Sequence, residues 1–140
     1  MSELELAPTT DSVPLARRFA RQLLRDSSSD VDTVVLLVSE VVTNAVLHAR
    51  SEIRLVVRDG DEAVRVEVHD ASPVPPRLNY FPPSSGTGRG LRMVDRLARA
   101  WGVEALGQGG KVVWFEVGLP VEAAWDPFDD DALEGADHDL

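Results

Sequence analysis

The run VVLLVSEVVTNAVLHA, Val34 to Ala49, is apolar enough to predict a buried helix, yet Glu40, Asn44 and His48 interrupt it at intervals of four. At about 100° per residue this spacing puts the three on adjoining turns of one side, while Val34, Val38, Val41, Val42 and Ala45 cover another. Any fold must therefore bury most of this helix and accommodate a polar stripe, as wet surface, a satisfied core network or a site.

The flanking segments supply the partners. Pro14 stands where a first helical turn tolerates it, and LARRFARQLLRD follows with Leu15, Phe19 and Leu23, or Ala16, Ala20, Leu23 and Leu24, at helical spacing. This predicts an amphipathic helix over about residues 14–25. The cluster SSSD, Ser27 to Asp30, provides turn and cap residues before the second helix, expected over 31–48. EIRLVVRDG and AVRVEVHD alternate apolar residues (Ile53, Leu55, Val57, then Val64, Val66, Val68) with polar ones across Gly60-Asp61, the pattern of a β-hairpin. Residues 71–88 hold five of the nine prolines and no periodicity, which predicts an ordered but irregular loop. Leu91, Val94, Leu97 and Ala98 predict a third helix from about Arg89 to Ala100, and WGVEALG and GKVVWFEVGLP form a second hairpin across Gly107 to Gly110. Lys111 reads as punctuation of that hairpin. The order α-α-β-β-loop-α-β-β predicts an α+β fold, with helices layered on one face of a mainly antiparallel sheet.

Composition narrows the function classes. A chain of 140 residues with 44% hydrophobic and 27% charged content suits one soluble domain. Without cysteine there are no disulfides or thiolate metal sites, and His48, His69 and His138 are too scattered to suggest a metal cluster. MSELELAPTTDSVP has neither a basic start nor a long apolar run, and no segment reaches the roughly 18 apolar residues of a membrane span, so a cytoplasmic protein without membrane contact is expected. The net charge of −10 is uneven: residues 122–140 hold 8 of the 24 acidic residues, leaving 16 acids against 14 bases before them. The expected organisation is a flexible N-terminus (1–12), a domain (13–121) and an acidic, disordered tail (122–140) in which Trp125 and Phe128 could anchor a partner. Arginines cluster at Arg17, Arg18, Arg21 and Arg25 and at Arg89, Arg92, Arg96 and Arg99, without the extended basic stripe of a nucleic-acid footprint.

Three pieces carry chemistry. Glu40 and Asn44 lie one turn apart, Asp70 ends a strand, and GTGRGL, Gly86 to Leu91, enters a helix. A glycine-rich helix entry exposes unpaired N–H groups at the positive end of the helix dipole and suits phosphates. Each piece alone also has a plain reading: a solvated helix stripe, a strand terminator, a flexible loop. A dinucleotide fingerprint does not fit, because Leu91 stands where the third glycine is needed and prolines rather than a strand come before it.

Together, in order and spacing, the pieces resemble the ATP-binding domain shared by gyrase B, Hsp90, histidine kinases and MutL, most closely its small bacterial branch of anti-sigma-factor serine/threonine kinases. SEVVTNAVLHA resembles that branch's E-x-x-x-N-A box, HDAS its second box, GTGRGLRMVDRLA its third, and GGKVVWFEV its closing strand. The resemblance implies a Bergerat-type two-layer α/β sandwich with a four- to five-stranded sheet and three helices on one face. It implies Mg-ATP as cofactor, with Asn44 as Mg²⁺ ligand, Glu40 as catalytic base and Asp70 accepting from the adenine amino group. Gly86, Thr87, Gly88, Arg89, Gly90 and Leu91 would surround the phosphates.

The implied partners are a sigma factor or related regulator and an anti-anti-sigma antagonist phosphorylated on Ser or Thr; the resemblance also admits a homodimer. The chain departs from the family in its second box. The usual D-x-G-x-G is here Asp70-Ala71-Ser72-Pro73-Val74, without the glycines that let backbone pass close to nucleotide. A non-catalytic partner-binding module with the same fold is therefore the second reading. A histidine-kinase fragment is a third, disfavoured because the first 13 residues hold no phospho-acceptor helix.

Overall fold

Alternation along the strands decides which face of the sheet meets the helices. The computed structural model describes residues 1–49, 51–72, 86–107 and 109–119. In chain order the elements are β1 (Ser2–Leu6), α1 (Ser12–Leu23), α2 (Val31–His48), β2 (Ile53–Asp59), β3 (Ala63–Asp70), α3 (Gly86–Leu97), β4 (Ala100–Ala105) and β5 (Lys111–Gly118). The five strands form one sheet in the order β1-β2-β3-β5-β4, every neighbouring pair antiparallel. Ile53, Leu55 and Val57, Val64, Val66 and Val68, and Val113, Phe115 and Val117 all join the core with the buried sides of α1 and α2. The α+β expectation therefore holds, and the sheet has five strands.

Helix α2 is the centre of the helical layer, packed between α1 and α3 and over the sheet. Asp30 caps it: its Oδ1 accepts from Thr33 N at 3.3 Å and its Oδ2 from Thr33 Oγ1 at 2.8 Å. By length and mean hydropathy (18 residues, 1.5) α2 could cross a membrane, but half of it is buried in the domain, as in the core helix of a folded protein. On α1 the structure selects the second of the two apolar stripes. Ala16, Ala20 and the following Leu24 are fully buried, while Leu15 and Leu23 are exposed. Arg17 and Arg21 of α1 reach across to α2, donating to Ser39 Oγ at 3.0 Å and Asp32 Oδ1 at 3.1 Å.

Three expectations are corrected. Residues 2–6, expected to be a flexible start, form edge strand β1 in register with β2, with Leu4 opposite Leu55 and Leu6 opposite Ile53. Helix α1 starts at Ser12, whose buried hydroxyl donates to Ala7 O at 2.6 Å and fastens the strand-to-helix turn. Helix α3 begins at Gly86 rather than Arg89 and ends at Leu97, because Ala100 already pairs with Glu116 in the sheet. Of the loop expected over 71–88, residues 86–88 belong to α3 and 73–85 fall outside the described residues, as does the acidic tail, 122–140.

The sheet face turned away from the helices carries a charged lattice. Arg65 donates to Glu67 Oε2 at 3.0 Å and Glu116 Oε2 at 3.1 Å, and its guanidinium lies 4.3 Å from the Trp114 ring centroid. His69 Nε2 contacts Glu67 Oε1 at 3.0 Å while its Nδ1 faces Arg54 Nη2 at 3.3 Å. Since Arg can only donate, Nδ1 accepts and the Nε2–H tautomer serves Glu67.

Candidate functional site

The candidate residues lie on α2, at the end of β3, at the start of β5 and at the entry of α3, and α2 is the element that packs against the other three. The spacing groups Asn44 with Glu40 and His48, apart from the valines, but the structure buries Asn44 together with Val41, Val42 and Ala45. Asn44 is 7% exposed, and its Oδ1 is a buried atom with no hydrogen-bond partner among the described residues. A buried carbonyl oxygen normally has a partner, and leaving it unpaired costs about 1–3 kcal/mol. An unpaired oxygen is also what a hard cation takes as a ligand, so the residue fits Mg²⁺ on its own chemistry. Glu40, one turn earlier, is half-buried, and its carboxylate has no side-chain hydrogen bond or ion pair among the described residues. His48 closes α2 on its exposed last turn.

Asp70 is the last residue of β3, 6% exposed. The inward parity of Val64, Val66 and Val68 puts its side chain on the helix-facing side. Its Oδ1 accepts from Ser72 N at 2.8 Å, an Asx-type turn that stops the strand. Lys111 Nζ donates to the same carboxylate, 3.0 Å from Oδ1 and 3.0 Å from Oδ2. Both partners are buried, with side chains 8% (Lys111) and 1% (Asp70) exposed.

Lys111 is the functional candidate that sequence reasoning missed. Two signals pointed to it: it is the single lysine beside thirteen arginines, and it begins a strand whose inward residues Val113, Phe115 and Val117 share its parity. The turn before it is built for the contact. Gly109 sits at φ +90°, and a Cβ on Gly110 would stand 2.5 Å from Asp70 O.

Gly86, Thr87, Gly88, Arg89 and Gly90 fall in the first turns of α3, and only their backbone is described. The first four N–H groups of a helix have no intrahelical acceptor, so the amides from Gly86 onward form an anion-seeking end. Leu91, at the end of the run, is buried, with 1% exposure. The structure thus brings Asn44 and Asp70 into the buried layer, leaves Glu40 at its margin, and starts a helix at the glycine run. Among the described residues no group of three or more His, Cys, Asp or Glu side chains forms a metal site.

The family described as histidine kinase-like ATPase domain matches residues 6–117, most of the chain. Among solved structures, the catalytic domain of the histidine kinase ThkA, in a nucleotide-free form, superposes with a TM-score of 0.51 at 16% identity. The match covers 85% of this chain and 98% of that one, a likeness of fold. No curated protein sequence matches the chain.

Proposed function

The chain belongs to the histidine kinase-like ATPase domain family, and from that premise we propose that it is a cytoplasmic Mg-ATP-dependent regulator of the anti-sigma kind, binding a sigma factor or related regulator and phosphorylating a Ser or Thr of an antagonist protein. ATP binding as a regulatory function follows from the family; the partner and the acceptor are the proposal's own. The observation that carries it is the buried Asn44 Oδ1, unpartnered among the described residues, one turn from a Glu40 carboxylate free of side-chain partners among them.

Phosphoryl transfer asks little covalent chemistry of the protein, so positioning and charge stabilisation suffice. Asn44 Oδ1 would hold Mg²⁺, which when bound neutralises charge on the phosphate oxygens. The first-turn amides of α3 would hold the phosphates at the positive helix end. Glu40 would take the proton from the acceptor hydroxyl, and its half-exposed place at the margin of the layer suits a group that must meet a second protein. Arg17 and Arg21 of α1 are already engaged with α2, leaving exposed Arg18 on α1 and Arg25 just beyond its end for an acidic surface of a partner.

Mg-ATP and a cognate antagonist should yield phosphoserine or phosphothreonine, and Glu40→Ala should lower transfer by about 10²-fold or more while nucleotide still binds. Undiminished transfer in Glu40→Ala would remove Glu40 as the base; absence of transfer to any antagonist, with ATP bound, would favour the second reading. That reading, a partner-binding module without turnover, is motivated by the second box, where Ser72 and Val74 stand at the two glycine positions and Ser72 N is committed to Asp70.

A further inference from the structure

Lys111 has no part in the chemistry above, yet its placement is specific. It lies directly opposite Asp70 in the β3–β5 register, so both side chains leave the sheet on the helix-facing side. An ammonium has three N–H donors and a carboxylate about four acceptor sites. Among the described residues, Asp70 Oδ1 serves both Ser72 N and Lys111, whereas Oδ2 accepts from Lys111 alone. Lys111 Nζ has no acceptor there except Asp70, so after contacting both oxygens it keeps one N–H unused. The buried pair therefore presents a spare acceptor beside a spare donor. As a purely structural device it is poorly motivated, because apolar residues of similar volume usually stabilise a core at least as well as a buried ion pair.

We infer that Lys111 is the second half of a base-reading pair: Asp70 accepts from the exocyclic amino group of adenine while Lys111 Nζ donates to the adjacent ring nitrogen N1. Adenine offers a donor next to an acceptor on that edge, the complement of the pair. Guanine in the same pose would bring its carbonyl oxygen against the carboxylate and its N1–H against the ammonium, two repulsive contacts. Gly110 is the enabling residue, since its missing Cβ lets β5 begin against the Asp70 main chain. The inference rests on the nucleotide reading above and adds to it a residue that discriminates between bases.

The test is calorimetric titration of the full chain with the Mg²⁺ complexes of ATP, GTP and 1-deaza-ATP, in which a C–H replaces N1. The wild type should bind 1-deaza-ATP about tenfold or more weakly than ATP, the loss of one hydrogen bond from a charged donor, and GTP more weakly still. In Lys111→Met, ATP and 1-deaza-ATP should bind within about twofold of each other, because the group that tells them apart is gone. If Lys111→Met does not fold, Lys111→Gln, which keeps an N–H donor of lower charge, should show reduced discrimination, and undiminished discrimination in it overturns the role of Lys111. Equal wild-type affinity for ATP and 1-deaza-ATP overturns the role of Lys111 and leaves the nucleotide reading standing. So does discrimination that persists in Lys111→Met. Failure of the wild type to bind ATP overturns both.

Discussion

Asn44 puts a polar atom where packing alone asks for none. On the buried side of α2 every neighbour in the stripe is aliphatic, and an amide there leaves Oδ1 without a partner among the described residues. Replacing it with an apolar residue of similar shape removes the desolvation penalty, which is worth about 1–3 kcal/mol. Asn44→Leu should therefore raise the denaturant midpoint of the ligand-free protein while abolishing Mg²⁺-dependent ATP binding, a trade of function for stability. Equilibrium unfolding and nucleotide titration on the same preparation check both halves; lower stability in the variant would mean that Asn44 is a packing residue.

This residue was legible in the sequence because a polar side chain every fourth position in an apolar helix is conspicuous. Lys111 was not, because its meaning depends on a strand register that sequence does not display. A lysine before an apolar strand looks like a solvated hairpin end until Asp70 is placed opposite it.

At the scale of elements, legibility tracked the source of stability. The limits of α2 could be read from sequence because its own periodicity and the Asp30 cap define them. Strand β1, by contrast, is only SELEL, whose alternation is too short to count until β2 offers a partner and the core accepts Leu4 and Leu6. The entry of α3 was misplaced for a similar reason: Gly86, Gly88 and Gly90 oppose helix formation by intrinsic preference, yet the structure winds them into its first turns.

The β4–β5 turn is the element with the least slack. Leu106 N donates to Gly110 O at 2.8 Å, and the path from Gly109 through Gly110 passes against Asp70 O. Gly110→Ala should cost about 1–3 kcal/mol, as in other overpacked sites, and should weaken nucleotide binding by displacing Lys111. Gly107→Ala in the same turn, where a Cβ would meet nothing within 4 Å, is the control and should do neither. Thermal denaturation and titration of the two variants distinguish local crowding from a general intolerance of the turn.

The molecule as a whole is a sheet with two unlike faces, one apolar and helix-covered, the other ionic. On the ionic face burial by itself would raise the pKa of Glu67, but hydrogen bonds from Arg65 and His69 and the charges of Arg58 and Arg65 outweigh it and hold the carboxyl below its ordinary 4.5. Burial works against the charge of Arg65 in the same way, and its hydrogen bonds and attraction to Glu67 and Glu116 more than offset it.

A carboxyl depressed in the folded state stabilises fully above its unfolded value and loses that contribution as pH falls through the folded one. The stability difference between wild type and Glu67→Gln should thus be constant above about pH 5 and shrink on further acidification. Urea unfolding across that range measures it, and a difference independent of pH would show that Glu67 is not held as a charge.

The sheet order β1-β2-β3-β5-β4 also sets a schedule. Asp70 and Lys111 are 41 residues apart in sequence, and they meet only after the chain has left β3, built α3 and β4, and turned back to insert β5 between two strands already made. A nascent chain that has emerged only through α3 carries Asn44, Asp70 and the glycine run but not Lys111. Competence to read a base therefore arrives with the strand that joins β4 to the rest of the sheet, so a half-made protein cannot capture nucleotide in the proposed way ahead of its own folding.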